Sequence, residues 1–433
     1  MPSTLLFKAR YLLILLAQTL IVSPAMAADL TVDNALDGIT GCTLRSAIES
    51  VNDGQDRGDC VASGLYGAND NINFDVTNIS NLTSALSITN DVVINSARIP
   101  LTITSLGNGS VFDIRGAAVS IDNTMITGGV SSGDGGGIFA LDSTITLQGC
   151  TVKSNSVSDN GGDGGGLFIR NSSLTLIDST VMENTTTDDG GGIFINDSAF
   201  VIENSTVTNN HAGDEGGGIN FIGDDTNGTI SNTTISGNMA IDEGGGIILR
   251  FLSSASLINS TITNNTANRT AGGISVTGLA TMSIRNSLIT GNVGGTGASS
   301  RSEISMGNEN VLNLSGNNLI GDNSKTSEEA ISFIPVANAI LATSNGNRPT
   351  SINSILEPLA DNNGPTFTHA LTAGSPAVSA GTVSECPEND QRGFPRDDET
   401  SSFFQIVAAN NNVATINFDD NTCDIGAYEF DNQ

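Results

Sequence analysis

The apolar positions of this chain fall in short alternating runs that recur at steps of 26 to 29 residues. In one such run, Leu174 and Leu176 flank a single polar residue. Alternation at a period of two is typical of β-strands with one buried face. Three apolar columns therefore predict three short strands in each repeat. The columns are Ile121, Leu147, Leu176, Ile202, Ile230, Leu257 and Ile284; Ile138, Leu167, Ile193, Ile219, Ile247 and Ile274; and Ile126, Val152, Val181, Val207, Ile235, Ile262 and Ile289.

A glycine triplet followed by an apolar residue marks the same point of successive repeats, starting at Gly135, Gly164, Gly190, Gly216 and Gly244. A repeat of this length, rich in Gly, Asn, Ser and Thr, does not suit paired helices, and the signature of leucine-rich repeats is absent. One repeat cannot bury its own apolar face, but repeats stacked at the parallel-strand spacing of roughly 4.8 Å can. The sequence therefore predicts an all-β fold, a right-handed parallel β-helix of the pectin lyase-like kind.

Asparagine forms two further columns at the predicted corners of the coil. Its side chain tolerates left-handed backbone angles, and stacked amides can hydrogen-bond along the axis of a solenoid. We therefore expect polar ladders at these corners. The columns are Asn204, Asn232, Asn259 and Asn286 before the third strand, and Asn155, Asn184, Asn210, Asn238, Asn265 and Asn292 after it.

The first residues have the features of a secretory signal peptide, with Lys8 and Arg10 before an apolar stretch and a small-residue cleavage site that ends at Ala27. The stretch is too short to predict a transmembrane segment, and nothing later in the sequence is long enough. We therefore expect a secreted, extracellular protein. We divide the chain into a signal peptide (1–27), an N-terminal cap (28–66), the β-helix repeats (67–330) and a C-terminal region (331–433).

An amphipathic helix is predicted in the cap region, because Leu44, Ala47, Ile48 and Val51 share one helical face. A solenoid exposes apolar side chains and unpaired strand edges at its first coil, so a short helix at this point is expected to cover that end.

Export also makes disulfides plausible for the cysteines outside the repeats. Cys42 and Cys60 lie close together before the repeats, and Cys386 and Cys423 lie together after them. Cys150 takes the place of a serine in the repeat, and we expect it to be a small buried column residue.

The charge balance limits the choice of partner. The chain has 46 acidic and 16 basic residues, a formal net charge of −30, and no tryptophan. Such a chain repels nucleic acid and anionic membranes and attracts divalent cations. With 4% aromatic residues, it also offers few of the broad aromatic platforms that bind sugars by stacking.

Four short stretches resemble a known family. Residues 42–48 read Cys-Thr-Leu-Arg-Ser-Ala-Ile, and the other stretches lie at 358–366, 390–396 and 423–429. They are similar to bacterial secreted β-helix proteins with a Cys-Ser-Leu-Arg-Glu-Ala-type N-terminal motif and a choice-of-anchor Q-type C-terminal region, which are related to polymorphic outer-membrane proteins. The resemblance implies a location at the cell surface or outer membrane. It supplies no catalytic residues.

Acidic residues precede the glycine triplets and form the sharpest chemical pattern. Carboxylates one coil apart, roughly 5 Å by strand spacing, repel one another unless they are screened or bridged. Ca²⁺ takes several oxygen ligands in flexible geometry and suits such a column; the alternative is a set of solvated turn residues. The candidate Ca²⁺ ligands are Asp134, Asp163, Asp188, Asp189, Asp214, Glu215, Asp242 and Glu243.

Two kinds of outward residue follow the triplets. Arg170 and Arg250 are candidate bases for a polysaccharide lyase, although three repeats separate them. Phe139, Phe168 and Phe194 share one outward position and predict an apolar stripe that contacts a glycan or a protein. Alternatively, a neighbouring turn or the N-terminal region covers these rings.

These patterns favour an adhesin-like binding protein, secreted or at the cell surface, that recognises a glycan or a protein partner. The alternative is an extracellular polysaccharide lyase or glycosidase on the same scaffold, with Ca²⁺ as a cofactor. An enzyme requires carboxylates and a base that converge on one groove, whereas a binding protein requires a long repetitive face.

Overall fold

The computed structural model describes residues 27–37, 40–96, 100–159, 161–295, 301–333, 339–382, 384, 386–396 and 423–430, and the backbone of 404–407 and 413–416. The expected signal peptide, up to residue 26, lies outside the described residues.

The described chain winds through four parallel sheets, which we name in the order in which a coil passes through them after its glycine triplet. Sheet A holds β4 (Leu86–Ile88), β7 (Phe112–Arg115), β11 (Ile138–Leu141), β15 (Leu167–Arg170), β19 (Ile193–Asn196), β23 (Ile219–Ile222), β27 (Ile247–Arg250), β31 (Ile274–Val276) and β34 (Ile304–Met306). Sheet B holds β1 (Asp29–Val32), β2 (Asp70–Phe74), β5 (Val92–Asn95), β8 (Ala118–Asp122), β12 (Thr144–Gln148), β16 (Ser173–Ile177), β20 (Ala199–Glu203), β24 (Asn227–Ser231), β28 (Ser254–Ile258), β32 (Thr281–Arg285) and β35 (Val311–Ser315).

The other two sheets complete the coil. Sheet C holds β3 (Asn78–Leu82), β6 (Leu101–Ser105), β9 (Thr124–Thr127), β13 (Thr151–Lys153), β17 (Thr180–Met182), β21 (Thr206–Thr208), β25 (Thr234–Ser236), β29 (Thr261–Thr263), β33 (Leu288–Thr290), β36 (Leu319–Ile320) and β37 (Ile340–Leu341). Sheet D holds β10 (Val130–Ser131), β14 (Ser156–Val157), β18 (Thr185–Thr186), β22 (His211–Ala212), β26 (Met239–Ala240) and β30 (Thr266–Ala267).

The strand register places like residues directly above one another, as the repeat predicts. In sheet B, Leu147 pairs with Ile121 on one side and with Leu176 on the other. In sheet A, Leu167 pairs in the same way with Ile138 and Ile193. These six side chains are buried in one continuous apolar core. The predicted all-β parallel β-helix is therefore confirmed.

The prediction of three strands per coil is incomplete, because six described coils have a fourth strand, in sheet D. Its strands are two residues long, and their inward positions are mostly small, as at Ala212, Ala240 and Ala267. A strand of two residues contributes one inward side chain per coil, which is too short a pattern to show alternation in the sequence.

The predicted asparagine ladder is confirmed at the corner between sheets C and D. Nδ2 of Asn238 donates to Oδ1 of Asn265 at 2.9 Å, and Asn210 donates in the same way to Asn238 at 3.0 Å. The ladder ends where Nδ2 of Asn292 donates to the buried carboxylate of Glu303 at 2.6 Å. Each amide therefore finds its partners one coil away, which offsets the cost of its burial. At the corner between sheets B and C, Asn204, Asn232, Asn259 and Asn286 all have positive φ, as predicted. The ladder expected there is wrong, because Nδ2 of Asn232, Asn259 and Asn286 donates to main-chain carbonyls of the C-terminal region instead of to the next asparagine.

The predicted N-terminal helix is confirmed as α1, Leu44–Asp53. The Thr43 hydroxyl accepts a hydrogen bond from the amide of Ser46 and caps its first turn. Its apolar face packs into the core of the first coils, and a disulfide joins Cys42 to Cys60. The region also supplies β1, which pairs with β2 and begins sheet B.

Described parts of the C-terminal region, among them Phe367, His369, Gln391 and Ala427, bind the outward side chains of sheet C. The short helix α2 (Ser327–Ala330) ends the repeats. The further described elements of the C-terminal region are a 3-10 helix (Ile352–Ser354) and two antiparallel hairpins, β38 (Leu356–Ala360) with β39 (Thr368–Leu371) and β40 (Phe404–Val407) with β41 (Val413–Ile416). A disulfide joins Cys386 to Cys423, as expected. Among the described helices, none has the length and apolarity that a membrane crossing requires.

Candidate functional site

The acidic column lies over the outer face of sheet A because the glycine turn folds back across it. Gly190, which follows Asp189, has a φ of +69°, in the left-handed region that favours glycine. A Cβ built on Gly190 would lie 2.8 Å from Cβ of Phe194, so the turn rests on that strand. Equivalent glycines at 135, 164, 216 and 244 have the same φ sign. The turn thus brings each carboxylate beside outward side chains of sheet A.

The carboxylates of the column are held by backbone amides of the next coil. Oδ1 of Asp134 accepts a hydrogen bond from the amide of Asp163 at 3.0 Å. Oδ1 of Asp163 accepts from Asp189 at 3.1 Å, and Oδ1 of Asp189 accepts from Glu215 at 3.0 Å. These bonds fix one oxygen of each carboxylate and leave the other oxygen for a cation.

Three of the predicted ligands come together at one point. Asp163, Asp188 and Asp189 each present a carboxylate oxygen, and these oxygens lie within 4.8 Å of one another. Burial, and then the neighbouring charges of Asp189 and Asp188, raise the pKa of Asp163 to about 7. Carboxylate oxygens at this spacing are the donor type that Ca²⁺ takes. They supply three of the six to eight oxygens that Ca²⁺ uses.

Arginine side chains occupy the later part of the column. Nη2 of Arg250 lies 2.5 Å from Oδ2 of Asp189, and Nη1 of the same guanidinium binds Glu215. Arg269 binds both Asp242 and Glu243. Arg269 was not predicted as a site residue from the sequence, although it stands two residues before Ala271, where the acidic column stops. The predicted ligands therefore form an early group and a later group that has arginine counterions, and Asp189 belongs to both.

Arg170 and Arg250 occupy the same column of sheet A, and they stay apart. The register runs from Arg170 through Asn196 and Ile222 to Arg250. Arg170 is exposed, whereas Arg250 is engaged by carboxylates. As the repeat predicts, no coil brings the two arginines together.

The three phenylalanines stack as predicted but are not an open stripe. Successive ring centroids of Phe139, Phe168 and Phe194 lie 5.3 Å apart, with interplanar angles of 6° and 3°. Phe168 is 3% exposed and Phe194 is 5% exposed. Phe139 is half-buried, with the guanidinium of Arg115 over its ring at 4.6 Å. The rings are therefore covered by the neighbouring turns and do not form an open contact stripe, because the glycine turns lie on these strands.

A known family matches most of this architecture. The family described as the right handed beta helix region matches residues 63–235 and 165–357, which together span more than half of the chain. The chain belongs to the right-handed β-helix family. No curated protein matches it. The family accounts for the stacked coils. It does not determine the function of the site, because one fold can host many functions.

Asn220 is an unusual feature of this β-helix, because it occupies the outward position of sheet A that Phe194 holds one coil earlier. It is fully buried, and in the described part of the chain neither its Oδ1 nor its Nδ2 has a hydrogen-bond partner. Nε of Arg250, in the next coil, is also buried without a partner among the described residues. These two side chains lie beside the boundary between the two groups of carboxylates.

The outer face of sheet B is a regular surface that extends over eleven described strands. In seven successive coils, outward side chains stack in two parallel ranks, two residues apart along each strand, and ten of these fourteen side chains carry a hydroxyl. The sequence shows this signal as Ser and Thr at the polar positions of the alternating runs. One rank is Ser120, Thr146, Thr175, Val201, Thr229, Ser256 and Ser283, and the other is Ala118, Thr144, Ser173, Ala199, Asn227, Ser254 and Thr281.

The C-terminal motifs bind the β-helix through buried polar side chains that the sequence analysis left without a role. Nε2 of Gln391 donates to Oγ1 of Thr206 at 3.0 Å, and Oγ1 of Thr234 donates to Oε1 of Gln391 at 2.7 Å. Arg396 donates to Glu429 at 3.0 Å, and burial raises the pKa of Glu429 to about 8. These contacts cover part of sheet C, and sheet B remains the regular open face within the part of the chain that the structure describes.

Proposed function

We propose that this protein is an adhesin-like binding protein, secreted or held at the cell surface, and that the outer face of sheet B recognises an extracellular glycan. The observation that carries the proposal is the pair of hydroxyl ranks on that face. Thr146 and Thr175, for example, pair directly between neighbouring coils.

The geometry of the ranks suits a polyhydroxyl ligand. Neighbouring hydroxyls stand roughly 4.8 Å apart between coils and about 6.6 Å apart along a strand. A hydroxyl both donates and accepts hydrogen bonds, and so does a sugar hydroxyl. Recognition by ranks of hydroxyls also agrees with the low aromatic content, since stacking platforms are not required. A protein partner is the other class of ligand that such a face can bind, through hydrogen bonds to main-chain groups.

The net charge of the protein limits which glycans it can bind. With a formal net charge of −30, the protein repels polyanions at a distance. We therefore expect neutral or basic glycans to bind in preference to uronic-acid polymers, and nucleic acids to be excluded. The disulfides in the N-terminal and C-terminal regions agree with an extracellular location.

A glycan array with the purified protein tests this function. The variant T146R/T175R places two long cations in the middle of sheet B, and we expect it to lose the glycan signal. The matched control is T185R, which changes an exposed threonine of sheet D. Retention of binding in T146R/T175R, or equal loss in T185R, would falsify the assignment to this face.

A polysaccharide lyase or glycosidase remains the second candidate, and the cluster of Asp163, Asp188 and Asp189 favours it. The carboxylates of this cluster lie on the same side of the β-helix as Arg170, the exposed arginine of sheet A. The test is incubation with uronic-acid polymers with and without Ca²⁺. Release of unsaturated oligosaccharides by the wild-type protein, and none by D163N, would establish the enzyme in place of the binding protein.

A further inference from the structure

The corner between sheets A and B carries exposed apolar side chains in two neighbouring coils. Phe251 is 59% exposed, Leu252 is 53% exposed and Leu279 is 50% exposed. In three earlier coils the same corner holds polar residues, namely Asp142, Asn171 and Asp197. The apolar corner is therefore a local departure from the repeat and not a property of the coil.

The backbone at this corner is also unfavourable for the residues that occupy it. Phe251, Leu252 and Leu279 have φ values of +51°, +67° and +67°. Bulky side chains rarely take this left-handed conformation, whereas Asn and Gly take it at lower cost. Among the described residues, neither burial nor local geometry explains why these three positions are apolar, whereas a contact with a partner would explain it.

The three side chains belong to one patch. The amide of Leu252 donates to the carbonyl of Gly278 at 2.9 Å, which stacks the two corners directly. The guanidinium carbon of Arg250 lies 5.8 Å from the centre of the Phe251 ring, on the side of the acidic column. The patch thus lies along the edge of the open face of sheet B.

Acidic residues border the patch along the helix axis. The corner of the preceding coil carries exposed Asp224 and Asp225, and the corner of the following coil carries exposed Glu309. An apolar centre between negative charges complements an apolar side chain between positive charges. A second copy of this chain would instead bring its own net charge of −30 to the contact.

We propose that the corner formed by Phe251, Leu252 and Leu279 is a docking site for a partner protein segment that presents apolar side chains between basic residues. The apolar side chains of the partner cover the patch, and its basic residues face Asp225 and Glu309. This surface is separate from the ranks of sheet B, so its test does not depend on glycan binding.

The experiment uses fluorescence polarisation with the full-length protein and a short labelled peptide that has an Arg-Leu-Arg-Phe-Arg core. The variant F251N/L252N/L279N removes the apolar surface with a residue that suits the left-handed backbone, so its thermal stability is expected to equal or exceed that of the wild type. Its affinity for the peptide is expected to fall at least about tenfold, as is that of D224N/D225N/E309Q.

Two controls make the result specific to the corner. M239N/I241N removes exposed apolar side chains from the region of sheet D and is expected to bind like the wild type. A peptide with Ser in place of Leu and Phe is expected not to bind, although its charge is unchanged. The proposal is overturned if the wild type does not bind the peptide, if F251N/L252N/L279N binds as well as the wild type, or if the Ser peptide binds equally.

Discussion

Nη2 of Arg250 donates to Oδ2 of Asp189 at 2.5 Å across 61 residues of sequence. The same guanidinium binds Glu215, so one cation serves carboxylates from two coils. This arrangement is possible because the coils stack in register and the glycine turns place the acids over the outer face of sheet A, where the side chain of Arg250 also lies. The result is a partly buried cluster of charges whose balance should control the stability of the central coils.

Replacing Arg250 tests the importance of this cluster. We expect R250M to lower the free energy of unfolding by about 3 kcal/mol, because it leaves two largely buried carboxylates without a cation. Urea denaturation measures the effect. R170M, which changes the exposed arginine of the same column, is expected to change stability by less than about 0.5 kcal/mol. R250M/D189N/E215Q should recover most of the loss, and an equal loss in R170M would contradict the interpretation.

Asp163 should make the stability of the protein depend on pH. Its pKa is 3.8 in the unfolded reference and about 7 in the folded protein, raised first by burial. Between pH 3.8 and about 7, the folded state therefore binds more protons at this group than the unfolded state does. The contribution of Asp163 to stability falls as pH rises through this range. We expect D163N to remove this part of the slope and to be more stable than the wild type above pH 7. Thermal melts across pH measure it, with D361N, an exposed acid, as the control.

Calcium provides a related test of the early acidic cluster. If Asp163, Asp188 and Asp189 bind Ca²⁺, saturating Ca²⁺ should raise the melting temperature of the wild type near pH 8, because a ligand that binds the folded state stabilises it by mass action. D163N should show a much smaller rise. Equal shifts in both proteins, or no shift in the wild type, would show that this cluster is not a Ca²⁺ site.

The asparagine ladder should be the most sensitive part of the polar interior. In N238A, the side-chain hydrogen bonds to Asn265 Oδ1 and to the carbonyl of Val207 are lost. The buried backbone amide of Asn210 loses its acceptor, whereas Nδ2 of Asn210 keeps only the carbonyl of Val181. We expect a loss of about 3 kcal/mol from these unsatisfied groups. Chemical denaturation measures it, and N308A, at an exposed corner, should stay near the wild type.

The glycine turns should tolerate no side chain. Gly190 has positive φ, and an added Cβ would meet Phe194 at 2.8 Å. We expect G190A to lower the free energy of unfolding by about 2 kcal/mol. Gly374, where an added Cβ has nothing within 4 Å, is the matched control. Similar melting temperatures for G190A and G374A would mean that the turn can move away from sheet A.

The sequence by itself determined the stacked architecture, the inward columns, the asparagine ladder and helix α1. The physical reason is that a solenoid makes its contacts between residues one repeat apart, so a period read along the chain is also a distance along the axis. The buried pairs of Leu147 with Leu176, and of Asn238 with Asn265, follow directly from the repeat.

Only the tertiary structure decided how the outward side chains are used. Arg250 serves the acids of two earlier coils, Phe194 lies beneath a glycine turn, and Gln391 binds threonines of sheet C that precede it by more than 150 residues. Such contacts depend on the direction of a turn and on where a non-repeating segment docks. The period of the sequence repeat contains no information about either. For that reason the sequence predicted the carboxylates of the site, while the cations that share them and the corner of Phe251 became visible only in the folded chain.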